Sequence, residues 1–244
     1  MLFTAQVAGV LAIALAVLVH GELPDDTAVL FAIPAAVSGT LGLWAYYRGM
    51  AVGAMSVVAP IAGISAIVPV TVGLATGDSP SAAQILGILV ALIGVGLASR
   101  ERQSGERRVA AGVGLALLAA LGFGGYFVPM HAAGAADFWW ASLIFRTTAF
   151  VLIAVAALAA RRSVRISRRD ALYVSAVGIG DTLGNVLYAA SASHGLVSVT
   201  SVLASLYPVV TVVLARVVLG ERVDRVQDAG IVATLAGVVL ISAG

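Results

Sequence analysis

The chain of 244 residues has no cysteine, no lysine and few charged residues of either sign. The absence of cysteine excludes disulfide bonds, cysteine-ligated zinc sites and cysteine nucleophiles. Charged residues make up 11% of the chain, whereas a soluble domain usually carries about 25%. The GxxxxGK[ST] pattern of phosphate-binding loops is also missing, so the chain holds no nucleotide site of that type. These absences argue against a soluble protein and against a chain that hydrolyses a nucleotide.

Long apolar runs occupy most of the sequence. Hydrophobic residues make up 61% of the chain and the mean hydropathy is +1.06. The runs are about twenty residues long, which in a helix matches the hydrocarbon thickness of a bilayer. This pattern predicts an all-α polytopic membrane protein, a single transmembrane unit with about nine helices and short connections. The predicted helices lie near 2–20, 27–47, 52–75, 82–99, 108–130, 138–160, 171–193, 196–219 and 226–243.

The arginines lie at alternate turns. The turns after the second, fourth, sixth and eighth predicted helices hold Arg48, four arginines at 100–108, five at 161–169, and then Arg222 with Arg225. The other four turns hold none. Because basic loops stay on the cytoplasmic side, this distribution predicts a cytoplasmic N-terminus and an external C-terminus. Exclusive use of arginine, with abundant alanine, valine and glycine, is typical of a GC-rich bacterial coding sequence, so we expect a multi-pass protein of the bacterial inner membrane.

The sequence contains an internal repeat. A shift of 143 residues superposes residues 84–99 on residues 227–242, with eight of sixteen positions identical. The shift spans five predicted crossings, an odd number, so the second copy would be inverted in the membrane. The first repeat would comprise residues 1–99, with four helices, and the second residues 108–244, with five. Because the helix at 108–130 has no counterpart, we expect a parent architecture of two five-helix units whose opening helix this chain lacks.

Each repeat ends in a Gly-Glu or Gly-Asp pair, a short polar turn, Gln-x-x-Gly and a glycine-rich last helix. This arrangement resembles the drug/metabolite transporter superfamily, in particular its EamA-type exporters. The resemblance is clearest at 187–242 and weaker at 45–99, and together with the repeat it covers the whole chain. The first copy departs from the pattern at Asp78, where the motif has glutamate, and at Ser65, where the second copy has Pro208.

The resemblance implies a secondary active transporter or exporter of a small polar metabolite. Amino-acid-like solutes are the first expectation, and nucleotide precursors or drugs the second. Its binding site would lie near the midplane between two inverted repeats that alternate access. Its partners would be the solute, the lipid bilayer and protons as a candidate coupling ion, with no cofactor, metal or nucleic acid. The alternatives are a membrane-embedded enzyme, which the scattered polar residues support poorly, and a permease subunit of a larger complex.

Two charges lie well inside predicted spans, Arg146 and Asp181. Each costs about 2.5 to 3.5 kcal/mol in the middle of a bilayer, so each should face a partner or a wet cavity. Asp181, Asn185 and Tyr188 follow at i, i+4 and i+7, which places them on one helix face. Two compatible interpretations follow: a structural Arg146–Asp181 pair that joins two helices, and a cavity that binds substrate or protons.

Two aromatic residues are further substrate-binding candidates. Trp44 precedes Tyr46, Tyr47 and Arg48 at the end of the second predicted helix, a composition that also fits an interfacial aromatic belt. Tyr126 lies in the glycine-rich segment GFGGYFVP, which could bring its ring towards a central cavity or could serve helix packing alone.

Two prolines are hinge candidates. Pro60 and Pro208 fall in predicted helices that the repeat makes equivalent, and a proline inside a helix removes one backbone hydrogen bond. Kinks there would suit alternating access, although bent helices also serve packing.

His20, His131 and His194 are predicted at turns on the face without arginine. Solvated interfacial histidines explain them, and coupling to protons is the sharper alternative. Their spacing supports no metal site.

Overall fold

A computed structural model describes residues 2–52, 58, 61–98, 109–160, 168–206, 209–210, 213, 217 and 225–243. These residues form helices and turns, and none of them lies in a strand, as an all-α fold requires. Eight helices are assigned among them. They are α1 (Leu2–His20), α2 (Asp26–Val52), α3 (Ile67–Thr76), α4 (Ala82–Ala98), α5 (Val109–Ala159), α6 (Arg168–Ser191), α7 (Val197–Ala204) and α8 (Arg225–Ala243).

Helix α5 merges two of the predicted spans. The sequence predicts a turn between 130 and 138, whereas the structure continues in helical form through the alanine-rich segment and breaks only at Asp137 (φ −158°, ψ 104°). The Asp137 Oδ1 accepts hydrogen bonds from the backbone N–H groups of Trp139 (2.9 Å) and Trp140 (3.1 Å), and so caps a new helix start. We call the stretches on either side the N-terminal arm (109–136) and the C-terminal arm (138–159) of α5.

Helix α2 begins at a second aspartate cap. Asp25 Oδ1 accepts hydrogen bonds from the backbone N–H groups of Thr27 (2.7 Å) and Ala28 (3.3 Å). The hydrogen bond from the Thr27 backbone lowers the pKa of the Asp25 carboxyl below 3.8, and those from the Thr27 side chain and the Ala28 backbone add to the effect. The cap explains why α2 starts directly after the GELPD turn.

The third and eighth predicted spans are interrupted. Residues 64–66 form a turn ahead of α3, where the Ser65 N–H bonds the Ala62 carbonyl over three residues (3.2 Å). Residues 205–206 form a turn after α7, with the Leu206 N–H directed to the Leu203 carbonyl (3.4 Å). Such three-residue bonds tighten the backbone and end an α-helix. In the described residues, α3 and α7 are therefore shorter than the predicted spans 52–75 and 196–219.

Two helical stretches are long and apolar enough to cross a bilayer on their own, Asp26–Val52 and Gly112–Ala159. They are the two such stretches within the described residues. The second stretch has 48 residues, and a straight helix of that length would measure about 70 Å, more than twice the hydrocarbon thickness. The break at Asp137 divides it. Nine crossings remain a prediction.

Rows of large apolar side chains are exposed along several helices. They recur at three- or four-residue spacing, so each row forms one helix face. In water such faces would promote association, whereas in a bilayer they match the lipid. The rows include Leu11, Leu15 and Leu18 on α1, Val151, Val155 and Leu158 on α5, and Val232, Leu235 and Val239 on α8.

The chain divides into two compact units. The first unit comprises residues 1–40 and 128–194, and the second comprises residues 41–127 and 195–244. Each unit therefore takes helices from both halves of the sequence. The predicted repeats, residues 1–99 and 108–244, divide the sequence differently and stay a prediction.

In the first unit, α1 packs directly on α6. A Cβ added at Gly178 of α6 would collide with the backbone carbonyl of Ala5, and one added at Gly9 of α1 would collide with the Thr182 side chain. The glycines let the two backbones approach more closely than side chains would allow. This contact positions α1 beside the polar residues of α6.

In the second unit, α4 packs on α8 through two pairs of glycines. A Cβ at Gly87 would lie 2.7 Å from the carbonyl oxygen of Gly237, and a Cβ at Gly237 would lie 2.7 Å from that of Gly87. Gly94 and Gly230 approach each other in the same way, also at 2.7 Å. The residue numbers rise along one helix as they fall along the other, so α4 and α8 are antiparallel.

Candidate functional site

Arg146 lies in the C-terminal arm of α5, and its side chain is 3% exposed. Its Nη1 donates hydrogen bonds to Asp181 Oδ2 (2.7 Å) and to Gln6 Oε1 (3.1 Å). The guanidinium therefore joins three helices of the first unit, α5, α6 and α1. The predicted proximity of Arg146 and Asp181 is present in the structure.

The other two nitrogens of the Arg146 guanidinium are buried without a hydrogen-bond acceptor in the described structure. No atom of the described structure accepts a hydrogen bond from Nε or Nη2. Buried donors of a charged group are costly to leave unsatisfied, because they have lost water and gained nothing in exchange. The arginine is thus held at Nη1, and its other two nitrogens donate no hydrogen bond within the described structure.

Asp181 differs from its partner in exposure. The Asp181 side chain is 62% exposed, although its Oδ2 bonds the buried arginine. A carboxylate in this position can meet the arginine and still be reached by another group. The pair is therefore half-buried, and water around the Asp181 carboxylate weakens its attraction to Arg146.

Asn185 and Tyr188 continue along α6 from Asp181. The Asn185 Nδ2 donates to the backbone carbonyl of Asp181 (2.8 Å), one helical turn back. Tyr188 is 5% exposed, so its ring lies inside the protein. The three residues follow one another along α6 as the spacing predicts, but their exposure falls steadily from Asp181 to Tyr188. Roles in substrate binding stay predictions for Asn185 and Tyr188.

The two aromatic candidates belong to the second unit. Trp44 of α2 is 58% exposed, a position that suits a membrane-facing indole. Tyr126 is half-buried in the N-terminal arm of α5, and its ring meets that of Phe127 edge-on, with the centroids 5.2 Å apart. Neither residue is in the unit that holds Arg146 and Asp181.

The hinge candidates Pro60 and Pro208 lie outside the described residues. The described turns at 64–66 and 205–206 are close to them in sequence. Roles as hinges therefore remain predictions.

His20 lies close to two acidic residues. His20 Nε2 lies 3.2 Å from Glu22 Oε2, and one ligand atom from each of His20, Glu22 and Asp137 falls within 4.8 Å of the others. The Trp140 indole N–H donates to the Glu22 carbonyl (2.8 Å) and holds this turn against α5. Spacing in the sequence does not reveal such a group. Exposed acids often gather without an ion, so the expectation of no metal stays a prediction.

Sequence reasoning missed Gln6. Its side chain is buried, with 8% of the residue exposed, and its amide oxygen accepts the second hydrogen bond of Arg146 Nη1. The feature that could have identified Gln6 is the presence of a polar residue within the first apolar run.

Asp78 has a structural role that the sequence did not indicate. Its Oδ2 accepts hydrogen bonds from the backbone N–H (2.9 Å) and the hydroxyl (2.7 Å) of Ser198, 120 residues later. The N-cap residue of α7 is Leu196, whose side chain cannot accept a hydrogen bond, so Asp78 supplies the cap. Asp78 also donates its own N–H to the Gly73 carbonyl (2.8 Å) at the end of α3.

Comparison with known proteins decides the family. The sequence profile described as "EamA-like transporter family" matches residues 110–243, more than half of the chain. The chain belongs to the EamA-like transporter family. It is therefore an integral membrane transporter of the drug/metabolite transporter superfamily, and the resemblance noted in the sequence is confirmed. Members of this family are transporters, which agrees with the expectation that the chain is not an enzyme.

The fold of this EamA-like transporter also matches solved structures. One of them, described only as "Crystal structure of protein", has a TM-score of 0.72 and 19% sequence identity, with 98% of each chain covered. At that identity the likeness concerns the fold alone. A comparison with curated proteins gives no match.

Proposed function

We propose that this EamA-like transporter is a secondary active exporter of a small polar metabolite, working in the bacterial inner membrane. The observation that carries the proposal is the Arg146–Asp181 pair, a buried cation and an exposed carboxylate joined at 2.7 Å within apolar helices. Charges at such depth are retained in membrane proteins mainly where they bind a solute, relay protons or join helices. Here the Asp181 carboxylate is exposed and can still be reached by a second group.

Alternating access between two inverted repeats is the proposed mechanism. Its support is the reciprocal contact of α4 and α8. The shift of 143 residues makes Gly87 equivalent to Gly230 and Gly94 equivalent to Gly237. The contacts join Gly87 to Gly237 and Gly94 to Gly230, which is how equivalent residues meet across a two-fold axis. The antiparallel course of the two helices agrees with copies that are inverted relative to each other.

The turns at 64–66 and 205–206 support bending during transport. They interrupt the third and eighth predicted spans, which the repeat makes equivalent. In transporters of this type, interrupted helices commonly line the pathway and flex. Pro60 and Pro208, which lie in these two predicted spans, are the proposed hinges.

The proposed solute is an amino-acid-like metabolite, with protons as the coupling ion. Asp181 is the proposed proton carrier, since it is an ionisable group that is both paired and accessible. Asn185, Tyr188, Trp44 and Tyr126 complete the proposed set of residues along the pathway.

Counterflow in proteoliposomes tests the transport proposal. Vesicles loaded with a mixture of unlabelled neutral amino acids should accumulate the same labelled amino acids without ATP and without an ion gradient. Gly114→Ala is a suitable folding control, since a Cβ at Gly114 meets no atom within 4 Å. A carrier exchanges solute under these conditions, whereas an enzyme or an ATP-dependent permease subunit does not. Absence of counterflow for the whole mixture contradicts the proposal.

A further inference from the structure

We propose that the Nε and Nη2 edge of Arg146 binds an oxyanion of the transported solute, a carboxylate or a phosphate. This inference rests on the proposed function and specifies the chemistry of the same site. It concerns the edge of the guanidinium opposite to Asp181. The solute class is thus an organic anion or a zwitterion, and an organic cation is excluded.

The free donors of Arg146 have the geometry of an oxyanion fork. A guanidinium is planar, and the N–H of Nε is parallel to one N–H of Nη2. These are the two groups that are buried and lack an acceptor in the described structure. Two parallel donors fit the two oxygens of a carboxylate or a phosphate, which a single lysine ammonium cannot reproduce.

Gln6 and Asp181 hold the guanidinium in this orientation. Both accept from Nη1, at 3.1 Å and 2.7 Å, so the bonded atom is fixed and the fork edge points away from the pair. Gln6 is thus a positioning residue. A solute on the fork edge would lie across the guanidinium from Asp181, so Asp181 stays free to exchange a proton while the solute is bound.

The fork is covered in this structure. The unpaired nitrogens are buried, and a Cβ at Gly9 of α1 would lie 3.4 Å from the Arg146 Cδ, so α1 is one of the elements that cover the side chain. The close fit of Gly178 against Ala5 leaves no room for a solute between α1 and α6. The structure therefore corresponds to a state in which the fork is closed, and the cover over Arg146 must open before an anion can reach it.

Binding of matched anions and amides to the full chain in lipid nanodiscs tests the inference. The probes are sodium L-lactate, inorganic phosphate and L-lactamide, a neutral molecule of the size of lactate. The shift of the thermal unfolding midpoint with probe concentration reports the apparent affinity. Wild-type protein should bind lactate or phosphate at least about tenfold more tightly than lactamide, since only the anions satisfy both donors. The anion that binds more tightly, lactate or phosphate, identifies the solute as a carboxylate or a phosphate.

Three variants test which residues anion binding depends on. Arg146→Lys keeps the charge but not the fork, and should lower anion affinity about tenfold. Arg48→Lys, at an exposed arginine of α2, should change it less than about twofold. Gln6→Ala should weaken anion binding several-fold and keep the preference over lactamide, and it serves as the second test if Arg146→Lys does not fold.

The outcomes separate this inference from the transport proposal. If neither lactate nor phosphate binds more tightly than lactamide, or if anion affinity is unchanged in both Arg146→Lys and Gln6→Ala, the proposed oxyanion site is wrong. If anion binding depends on Arg146 but no counterflow occurs, the oxyanion site is supported and the transport proposal is wrong. If uncharged solutes undergo counterflow and this activity persists in Arg146→Lys, the oxyanion site is wrong and the transport proposal is supported.

Discussion

Gly94 of α4 and Gly230 of α8 each approach the other's carbonyl oxygen to the same distance, 2.7 Å from the position that a Cβ would occupy. Such reciprocal contacts are expected where two equivalent helices pack across a two-fold axis. The absence of a side chain at both positions is what permits the approach. Helices α4 and α8 are therefore in mutual backbone contact in the second unit.

Alanine at Gly94 should destabilise the α4–α8 contact. Its Cβ would lie 2.5 Å from the Thr234 backbone nitrogen and 2.7 Å from the Gly230 carbonyl oxygen, so one backbone must move. We expect a loss of about 1 to 3 kcal/mol of unfolding free energy. Unfolding in mixed micelles by denaturing detergent measures it.

Gly96→Ala is the matched control in the same helix. A Cβ there would meet only Ile64 Cγ2, at 3.8 Å, an ordinary contact. Because alanine favours helix over glycine by up to about 1 kcal/mol, Gly96→Ala should be neutral or stabilising. Equal destabilisation by both variants would contradict the close glycine contact.

Asp181→Asn should cost more stability than Arg146→Gln. Loss of the carboxylate charge leaves a buried guanidinium with only neutral amide oxygens as acceptors, whereas loss of arginine leaves an exposed carboxylate. We expect about 1 to 3 kcal/mol for Asp181→Asn, because a buried charged donor is left poorly satisfied. The double variant should lose less than the sum of the two single variants, as coupled residues do. Additive losses in a double-mutant cycle would show that the pair does not contribute to stability.

Asp181→Asn should also separate proton coupling from solute exchange. If Asp181 carries the proton, the asparagine variant should lose uptake driven by a pH gradient and keep counterflow, which needs no net proton movement. Fluxes of the same labelled solute in proteoliposomes, with and without a gradient, measure both activities. If gradient-driven uptake by the variant equals that of the wild type, Asp181 is not the proton carrier.

Asp78→Ala should destabilise the start of α7. It removes the acceptor of two hydrogen bonds from Ser198, and no side chain of the N-cap residue replaces it. Loss of a helix cap costs about 1 kcal/mol, and Ser198→Ala, which keeps the backbone bond, should cost less. Asp78→Asn should fall between them, since the amide oxygen can still accept. Thermal unfolding of the three variants ranks them, and a larger loss in Ser198→Ala than in Asp78→Ala would contradict the cap.

Asp25 should make the start of α2 sensitive to acid. Hydrogen bonds from Thr27 and Ala28 lower the pKa of the Asp25 carboxyl below 3.8, so the folded state favours the ionised form. This contribution to stability is complete above pH 3.8 and is lost as the pH falls through the lowered pKa. The difference in thermal stability between wild type and Asp25→Ala should therefore shrink in acid. A difference that stays constant from pH 6 to about pH 2 would contradict the cap.

Much of the helical architecture could be predicted from the sequence because hydropathy and helical rise act locally. Predicted helix ends at His20 and near Ala98 lie within a residue or two of those observed. The α5 prediction was wrong between 130 and 137, since the histidine, glycine and alanines there continue the helix until Asp137 caps the next one. The resemblance to the EamA-type exporters could be recognised for a similar reason, because the duplicated pattern of residues is visible in the sequence itself.

The surroundings of the site could not be predicted in the same way. Arg146 and Asp181 stood out because a charge in an apolar run is conspicuous, and their contact followed from depth in two helices. Gln6 was missed because its importance depends on which helix packs beside Arg146, a matter of the close fit between α1 and α6.

The sequence by itself determined the membrane environment, the family and the two charges within spans, because each depends on composition or on patterns of neighbouring residues. Only the tertiary structure decided which donors of Arg146 are engaged, that Asp78 caps a helix 120 residues away, and which glycines meet. Those features depend on the approach of backbones that are distant in sequence, and local patterns carry no information about that distance.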